Sequence, residues 1–314
     1  MIKLIKNFSK LLIMVGLLCG LYFGSVFTII APQYEEGYNA SLLDKENRLM
    51  SIKEPKIILV GNSNVALGVN SQRLEEEVGM PVVNMGLHGA LGNRMLERIA
   101  LPGIKKGDLV IVCHSAYADE GNIPDPEIAW VTIENHKELW KLLDAEEWKD
   151  IIPALPQYSL KVFYLWMSKT GNAKDVIYNR GNFNIYGDYV LERNEQSHSF
   201  YETFLLPEIN EVCVSRLNNM NQYCIEKEAT MLIAGYPICA SKSVSNIQDI
   251  TYFENELKSR LTCEVISNYV DYMYSNEYFY DTALHLTTQG AELRTNQLIK
   301  DIIKYLEINN NEGM

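Results

Sequence analysis

Hydrophobic positions are spread unevenly along this chain, and the longest apolar run lies near its start. Residues 11–31 form 21 consecutive positions without a charge. About 20 apolar residues in a helix span a hydrocarbon core of roughly 30 Å, so this run predicts one transmembrane helix. Three lysines precede the run and Glu35 and Glu36 follow it, which predicts residues 1–10 in the cytoplasm and a single-pass cell-membrane protein with its bulk outside. A cleaved signal peptide is the alternative, but the run is long for one.

The pattern changes after the apolar run. Residues 32–54 are polar with mixed charge, which predicts a stalk before a folded domain at residues 55–310. In that domain, short β-branched runs alternate with segments of helical spacing, as in a parallel sheet covered by helices on both faces. We predict a three-layer α/β/α, flavodoxin-like fold with about five parallel strands. The predicted strands are residues 56–61, 81–84, 108–113, 230–234 and 264–266.

Residues 115–205 interrupt this alternation with prolines and many aromatic residues. We predict a long insertion there. Two roles for it remain open, because such an excursion can hold a substrate or can cover one edge of the sheet.

Charge and cysteine content exclude several functions. Lys and Arg total 28 against 40 Asp and Glu, a net charge of −12, and no basic patch interrupts the sequence, so nucleic acid is excluded as a partner. The cysteines after residue 31 form no CxxC and no Cys/His spacing typical of a metal site. We therefore expect no metal and no cofactor. The cysteines are scattered and odd in number, which argues against a disulfide framework and favours burial as small apolar residues.

Three polar patches could carry chemistry, since active residues of such a sheet gather at the carboxyl ends of its strands. The run GNSN at 61–64 places Ser63 before a helix, where backbone N–H groups face a bound molecule. Residues 84–89 bring glycines whose backbone can approach a ligand closely. Asp281 precedes His285 by four residues, so the carboxylate can orient an imidazole that takes a serine proton. Each patch alone also fits a structural role in a turn or a helix cap.

The order of these patches resembles the SGNH/GDSL hydrolase superfamily over roughly residues 55–306. The first block of that family usually reads Gly-Asp-Ser, where this chain has Gly-Asn-Ser at 61–63. Its second block, Asn-x-x-x-x-Gly, matches residues 84–89. Its last block, Asp-x-x-His before the final helix, is one residue wider here between Asp281 and His285.

This resemblance implies roles for individual residues. Ser63 would attack an ester, His285 would act as general base and then acid, and Asp281 would orient it. The backbone N–H groups of Ser63 and Gly89 would form the oxyanion hole. With water as acceptor the protein would be an esterase, and with a sugar hydroxyl it would be an acyltransferase.

One block departs from the family pattern. The third block normally supplies an Asn side chain to the oxyanion hole, but this chain reads His-Ser-Ala-Tyr there, ending at Tyr117. A tyrosine hydroxyl can donate a hydrogen bond. Losing one oxyanion donor typically costs about 10²–10³ in rate. We therefore expect Tyr117, Asn62 or Asn64 to compensate, or else a slow enzyme or none. His88 and His114 are expected to shape the pocket.

The membrane anchor and the family resemblance together imply a substrate in the cell envelope. The expected partners are an acylated carbohydrate or cell-wall polymer, with other envelope-biosynthesis proteins as further candidates. Two alternatives remain. The altered third block and the wider Asp–His spacing motivate a degenerate binding or assembly protein without catalysis. Cys113 beside His114 is a candidate thiol nucleophile, which its position at the end of a buried strand disfavours.

Overall fold

The structure is a computed structural model, and the residues it describes are 2–30, 32–115, 117, 124–169, 177–194, 208–240 and 246–312. The α-helices of this described part are α1 Ile2–Thr28, α2 Leu42–Ser51, α3 Ser63–Ala66, α4 Ser71–Val78, α5 Gly92–Arg98, α6 Pro126–Asn135, α7 Ala145–Ile151, α8 Leu155–Ser168, α9 Glu211–Glu226, α10 Ile247–Arg260 and α11 Thr288–Glu312. Its strands are β1 Ile57–Val60, β2 Val82–Asn84, β3 Leu109–Val112, β4 Thr230–Ile233, β5 Ile238–Cys239, β6 Glu264–Val265 and β7 Met273–Tyr274.

Five parallel strands form the central sheet in the order β2-β1-β3-β4-β6. Side chains of β1 alternate between two cores, as strand geometry requires. Ile58 and Val60 pack with residues of α5, α9 and α10, whereas Ile57 and Leu59 pack with residues of α4 and α11. The predicted α/β class with a parallel five-stranded sheet is confirmed. A separate parallel pair, β5 with β7, lies outside the predicted strands.

The N-terminal helix α1 is long and apolar enough to cross a membrane. It begins before the predicted segment, and its residues 3–21 are exposed. The following turns pack into the domain, where Val26 and Ile30 are buried. Phe27 contacts three aromatic rings, those of Trp130, Trp140 and Tyr158.

The segment predicted as a stalk, residues 32–54, is instead folded into the domain. The 3₁₀ helix Tyr38–Ser41 is buried along its length. It leads into α2, which buries Leu42 and Leu49, together with Lys45, and exposes Asp44 and Asn47. An amphipathic helix of this kind has a polar average composition, so composition alone did not distinguish it from a stalk.

The predicted insertion at 115–205 contains α6, α7 and α8 in its described parts. Trp130 of α6 is buried, and its indole N–H donates to the Ile151 carbonyl oxygen at 2.8 Å. Residues 177–194 return to the sheet, where the Asp188 carboxylate accepts hydrogen bonds from Ser71 and from the Asn84 side chain. The insertion is therefore joined internally through Trp130 and packs against the α/β core through Asp188.

A buried ion pair joins the starts of β1 and β3. Lys56 Nζ and Asp108 Oδ2 are 2.8 Å apart, and both side chains are fully buried. The Asp108 carboxylate also accepts the backbone N–H groups of Lys56 and Lys105, at 3.1 and 2.8 Å. The carboxylate thus fixes the offset at which the two central strands enter the sheet.

We expect Asp108→Ala to lower the free energy of unfolding by about 3–5 kcal/mol, because removing one partner leaves a buried charge unpaired. Urea unfolding of the detergent-solubilised chain measures this loss. Lys106→Ala is the matched control, since it removes an exposed pair with Glu228 at 2.6 Å. The control should cost less than about 1 kcal/mol. Equal losses in the two variants would contradict a structural role for the buried pair.

Candidate active site

Ser63 lies at the carboxyl edge of the sheet because β1 turns abruptly into α3. It is the first residue of α3, and Asn62 caps the helix by accepting the backbone N–H of Asn64 at 3.0 Å. Gly61 permits this tight turn. A Cβ at Gly61 would stand 2.5 Å from Cγ2 of Val65, closer than side-chain atoms approach one another.

Ser63, His285 and Asp281 are joined in one hydrogen-bonded line. Ser63 Oγ lies 2.7 Å from His285 Nε2, and His285 Nδ1 lies 2.7 Å from Asp281 Oδ1. The wider Asp–His spacing is absorbed by a local turn, in which the Thr282 hydroxyl accepts the backbone N–H groups of Leu284 and His285 at 3.2 and 3.1 Å. The extra residue therefore does not prevent the carboxylate from reaching the imidazole.

The Asp281 carboxylate is held ionised by its neighbours. Its other oxygen, Oδ2, accepts a hydrogen bond from the Tyr178 hydroxyl. Burial raises the pKa of Asp281, but the hydrogen bond and charge of His285, together with the Tyr178 hydroxyl, outweigh burial and leave that pKa below its usual value. Sequence reasoning missed Tyr178, because it lies in the insertion and no local motif marks it.

Gly89 and Asn62 lie side by side next to Ser63. A Cβ at Gly89 would stand 3.7 Å from the Asn62 Nδ2 atom, and that amide donates to Ser115 Oγ at 2.8 Å. Ser63 and Gly89 each begin a helix, where backbone N–H groups have no acceptor within the helix. In the described part of the chain neither N–H meets another acceptor. The site thus combines a serine hydroxyl, an imidazole within hydrogen-bond distance and backbone N–H groups that face no acceptor among the described residues.

Two of the three residues expected to complete the oxyanion hole are fully buried. Tyr117 is fully buried, with its hydroxyl 3.3 Å from the Tyr269 hydroxyl and its ring against Phe253. Its ring fills an aromatic cluster in the core, so it is not a donor at the site. Asn64 is also fully buried, and its amide donates to the Asn62 side-chain oxygen at 2.6 Å. Of the three, Asn62 alone is partly exposed beside Ser63.

The two predicted pocket histidines have different positions. His88 is exposed and its ring lies 6.1 Å from that of Tyr38. Surrounding protein and then the charge of His285 lower the pKa of His88, which marks it as a neighbour of the site. His114, by contrast, is fully buried, and its Nε2 lies 2.7 Å from Glu97 Oε1. His114 is therefore a core residue with no exposed surface at the site.

The alternative nucleophile, the Cys113 thiol, is disfavoured by its surroundings. Cys113 is fully buried and burial raises the pKa of its thiol, which disfavours a thiolate nucleophile. Within the described ranges, no three His, Cys, Asp or Glu side chains form a group that could hold a metal ion. Asn84, in the second predicted patch, bonds the Val65 carbonyl oxygen and Asp188 and so holds the chain leading to Gly89.

We expect Tyr178→Phe to raise the pKa of Asp281, because the variant removes a donor that favours the charged carboxylate. Titration of the carboxyl carbon by NMR, in protein labelled at aspartate, measures the change. Tyr38→Phe is the matched control. The Tyr38 ring lies 5.9 Å from that of Tyr178, and its buried hydroxyl has no partner among the described residues. An unchanged Asp281 pKa in Tyr178→Phe would show that this hydrogen bond does not act on the carboxylate.

No protein-family model, curated protein or solved structure matches this chain. What the site can do is therefore judged from its own geometry. A serine hydroxyl, an imidazole and an ionised carboxylate in hydrogen-bonded sequence form the arrangement that activates a serine as a nucleophile.

Proposed function

We propose that this protein is a membrane-anchored serine acyl-ester hydrolase or O-acyltransferase of the SGNH/GDSL type, with a three-layer, flavodoxin-like domain. The observation that carries the proposal is the pair of 2.7 Å hydrogen bonds linking Ser63, His285 and Asp281. These residues come from separate parts of the chain, Ser63 and His285 being 222 positions apart. Side-chain packing alone gives no reason for such an arrangement at the partly exposed edge of a sheet.

The first half of the reaction forms an acyl-enzyme. Ser63 Oγ attacks the ester carbonyl carbon while its proton moves to His285 Nε2, and the carbonyl electron pair moves onto oxygen. Collapse of this tetrahedral oxyanion breaks the bond to the alcohol, which takes the proton from His285. Asp281 stays ionised throughout and stabilises the imidazolium.

The second half releases the acyl group. Water or a sugar hydroxyl loses its proton to His285 and attacks the acyl carbon, whose carbonyl electron pair moves onto oxygen. Collapse of this second oxyanion breaks the bond between the acyl carbon and Ser63 Oγ, releases the carboxylic acid or the new ester, and returns the proton from His285 to Ser63 Oγ. The backbone N–H groups of Ser63 and Gly89 supply two donors to each oxyanion. We assign the third donor to the Asn62 side chain, which stands beside Gly89 and takes the place of the missing third-block asparagine.

The length and apolar character of α1 support an anchor, and the lysines before it favour a cytoplasmic N-terminus with the catalytic domain outside. Substrates in reach would be acylated carbohydrates or cell-wall polymers. The exposed His88 and the partly exposed ring of Tyr178, which both lie against the buried Tyr38 ring, give a surface on which a sugar ring could pack.

We expect a fluorophosphonate probe to modify wild-type protein at Ser63 and to leave Ser63→Ala and His285→Ala unmodified. Intact mass and peptide mapping identify the labelled residue. Cys113→Ala is the control and should label like wild type, because the proposal gives the thiol no part. Absence of specific labelling in wild type would favour the binding or assembly protein over the enzyme.

Asn62→Asp tests the proposed third oxyanion donor. The carboxylate keeps the acceptor that caps α3 but removes the amide donor, so hydrolysis of a p-nitrophenyl ester should slow by about 10²–10³ in kcat. In the SGNH/GDSL superfamily this position is usually Asp, and the third oxyanion donor is the third-block Asn. A chain without that Asn should therefore lose activity with Asp at position 62 only if Asn62 is the donor. Tyr117→Phe is the control and should leave kcat within a factor of about three, since its hydroxyl lies away from the site. Wild-type kcat in Asn62→Asp would refute the assignment.

A further inference from the structure

Helix α8 is apolar on two opposite faces. Its inner face, with Tyr158 and Val162, is buried against the domain core. Its outer face carries four large apolar side chains at helical spacing that are between 41% and 70% exposed, those of Leu160, Phe163, Tyr164 and Met167. A helix that is hydrophobic all round belongs where both of its faces are covered.

The position of α8 indicates what covers the outer face. It packs beside the end of α1, where the rings of Phe27 and Tyr158 stack at 6.1 Å. Residues 3–21 of α1 project free of the domain, and burial begins at Tyr22. Lys3, Lys6 and Lys10 lie in that free length, so its charge-free part, residues 11–21, corresponds to about 16 Å of helix, about half of the roughly 30 Å thickness of a hydrocarbon core. The remaining apolar turns of α1 are those that pack beside α8, so a bilayer crossed by the charge-free run would extend to the level of α8.

Residues at the edges of this outer face suit the boundary between lipid and water. Trp166 and Tyr164 are exposed aromatic residues of the kind enriched at membrane interfaces. Lys161 lies on the same helix, paired with Glu127, and Lys169 follows directly after α8. Long cationic side chains can extend from such a helix to the headgroups.

We propose that the outer face of α8 inserts into the interface of the membrane that α1 crosses. The domain then contacts the bilayer through both α1 and α8, and it is not held away from the membrane surface. Interfacial helices of this type bury their apolar face about 5–10 Å deep.

This seating bears on the substrate, a consequence that rests on the proposed function. Tyr38 follows the end of α1 by ten residues, and its ring contacts both His88 and Tyr178. Ten extended residues span at most about 35 Å. The candidate site thus stays within that distance of the bilayer. The ester that it takes must be presented at the membrane surface rather than in a distant layer of the envelope.

The test uses the full chain in vesicles of phosphatidylcholine and phosphatidylglycerol, with Cys19→Ser removing the exposed cysteine. Single cysteines at Phe163→Cys and Met167→Cys carry an environment-sensitive fluorophore, and brominated lipids serve as quencher. Ile308→Cys is the matched control, an exposed apolar position on α11, which packs on the opposite face of the sheet. Leu12→Cys reports on α1 itself. We expect at least about twofold stronger quenching at 163 and 167 than at 308.

Three results would overturn the inference. Quenching at position 12 without quenching at 163 and 167 would place the domain away from the bilayer. Blue-shifted emission at 163 and 167 without lipid quenching would identify a protein partner or a second copy as the cover. Absence of quenching at every position would show that α1 does not insert. Labelling of Ser63 by the fluorophosphonate probe is independent of these readings, so failure of the seating and failure of the proposed function are distinguishable.

Discussion

The parallel register of the central strands is the constraint on which the candidate site depends. Because β1, β2 and β3 run in the same direction and pair residue by residue, the segments that follow them leave the sheet at one edge. Asn62, Gly89 and Ser115 therefore come together although they belong to three different connections. The Lys56–Asp108 pair acts at the opposite end of the same strands and holds their offset. A shift of one residue between β1 and β3 would separate the donors at the site.

Sequence patterns predicted the parts of this arrangement that depend on local chemistry. The apolar runs of β1 and β3 predict buried strands because both faces of a parallel sheet are covered. Ser63, Asp281 and His285 were predicted from short motifs, and the structure brings the three side chains within hydrogen-bond distance. The direction in which a side chain points after the end of a strand was not predictable from the sequence. Tyr117 was expected at the site from its position alone, but the aromatic core offers its ring a better environment than the open edge.

Contacts between distant segments were the least predictable. Tyr178 reaches Asp281 from more than one hundred residues away, and only the packing of the insertion brings it there. The helix α2 was not predicted for a related reason. The core that covers Leu42 and Leu49 is formed by residues far along the chain. Both cases require tertiary structure, because the segments concerned have no distinctive pattern of their own.

Asn62 shows how one residue can connect stability, geometry and chemistry at this site. Its side-chain oxygen caps α3 and so fixes the direction of Ser63, while its amide faces Ser115 and Gly89. Under the proposed SGNH/GDSL assignment the usual residue here would be aspartate, which would keep the cap but leave no donor on that side chain. In the proposed mechanism an asparagine would supply both functions from one position, and a third-block asparagine would not be needed. The differences from the pattern of that family in the first and third blocks would then be two parts of one change rather than two independent losses.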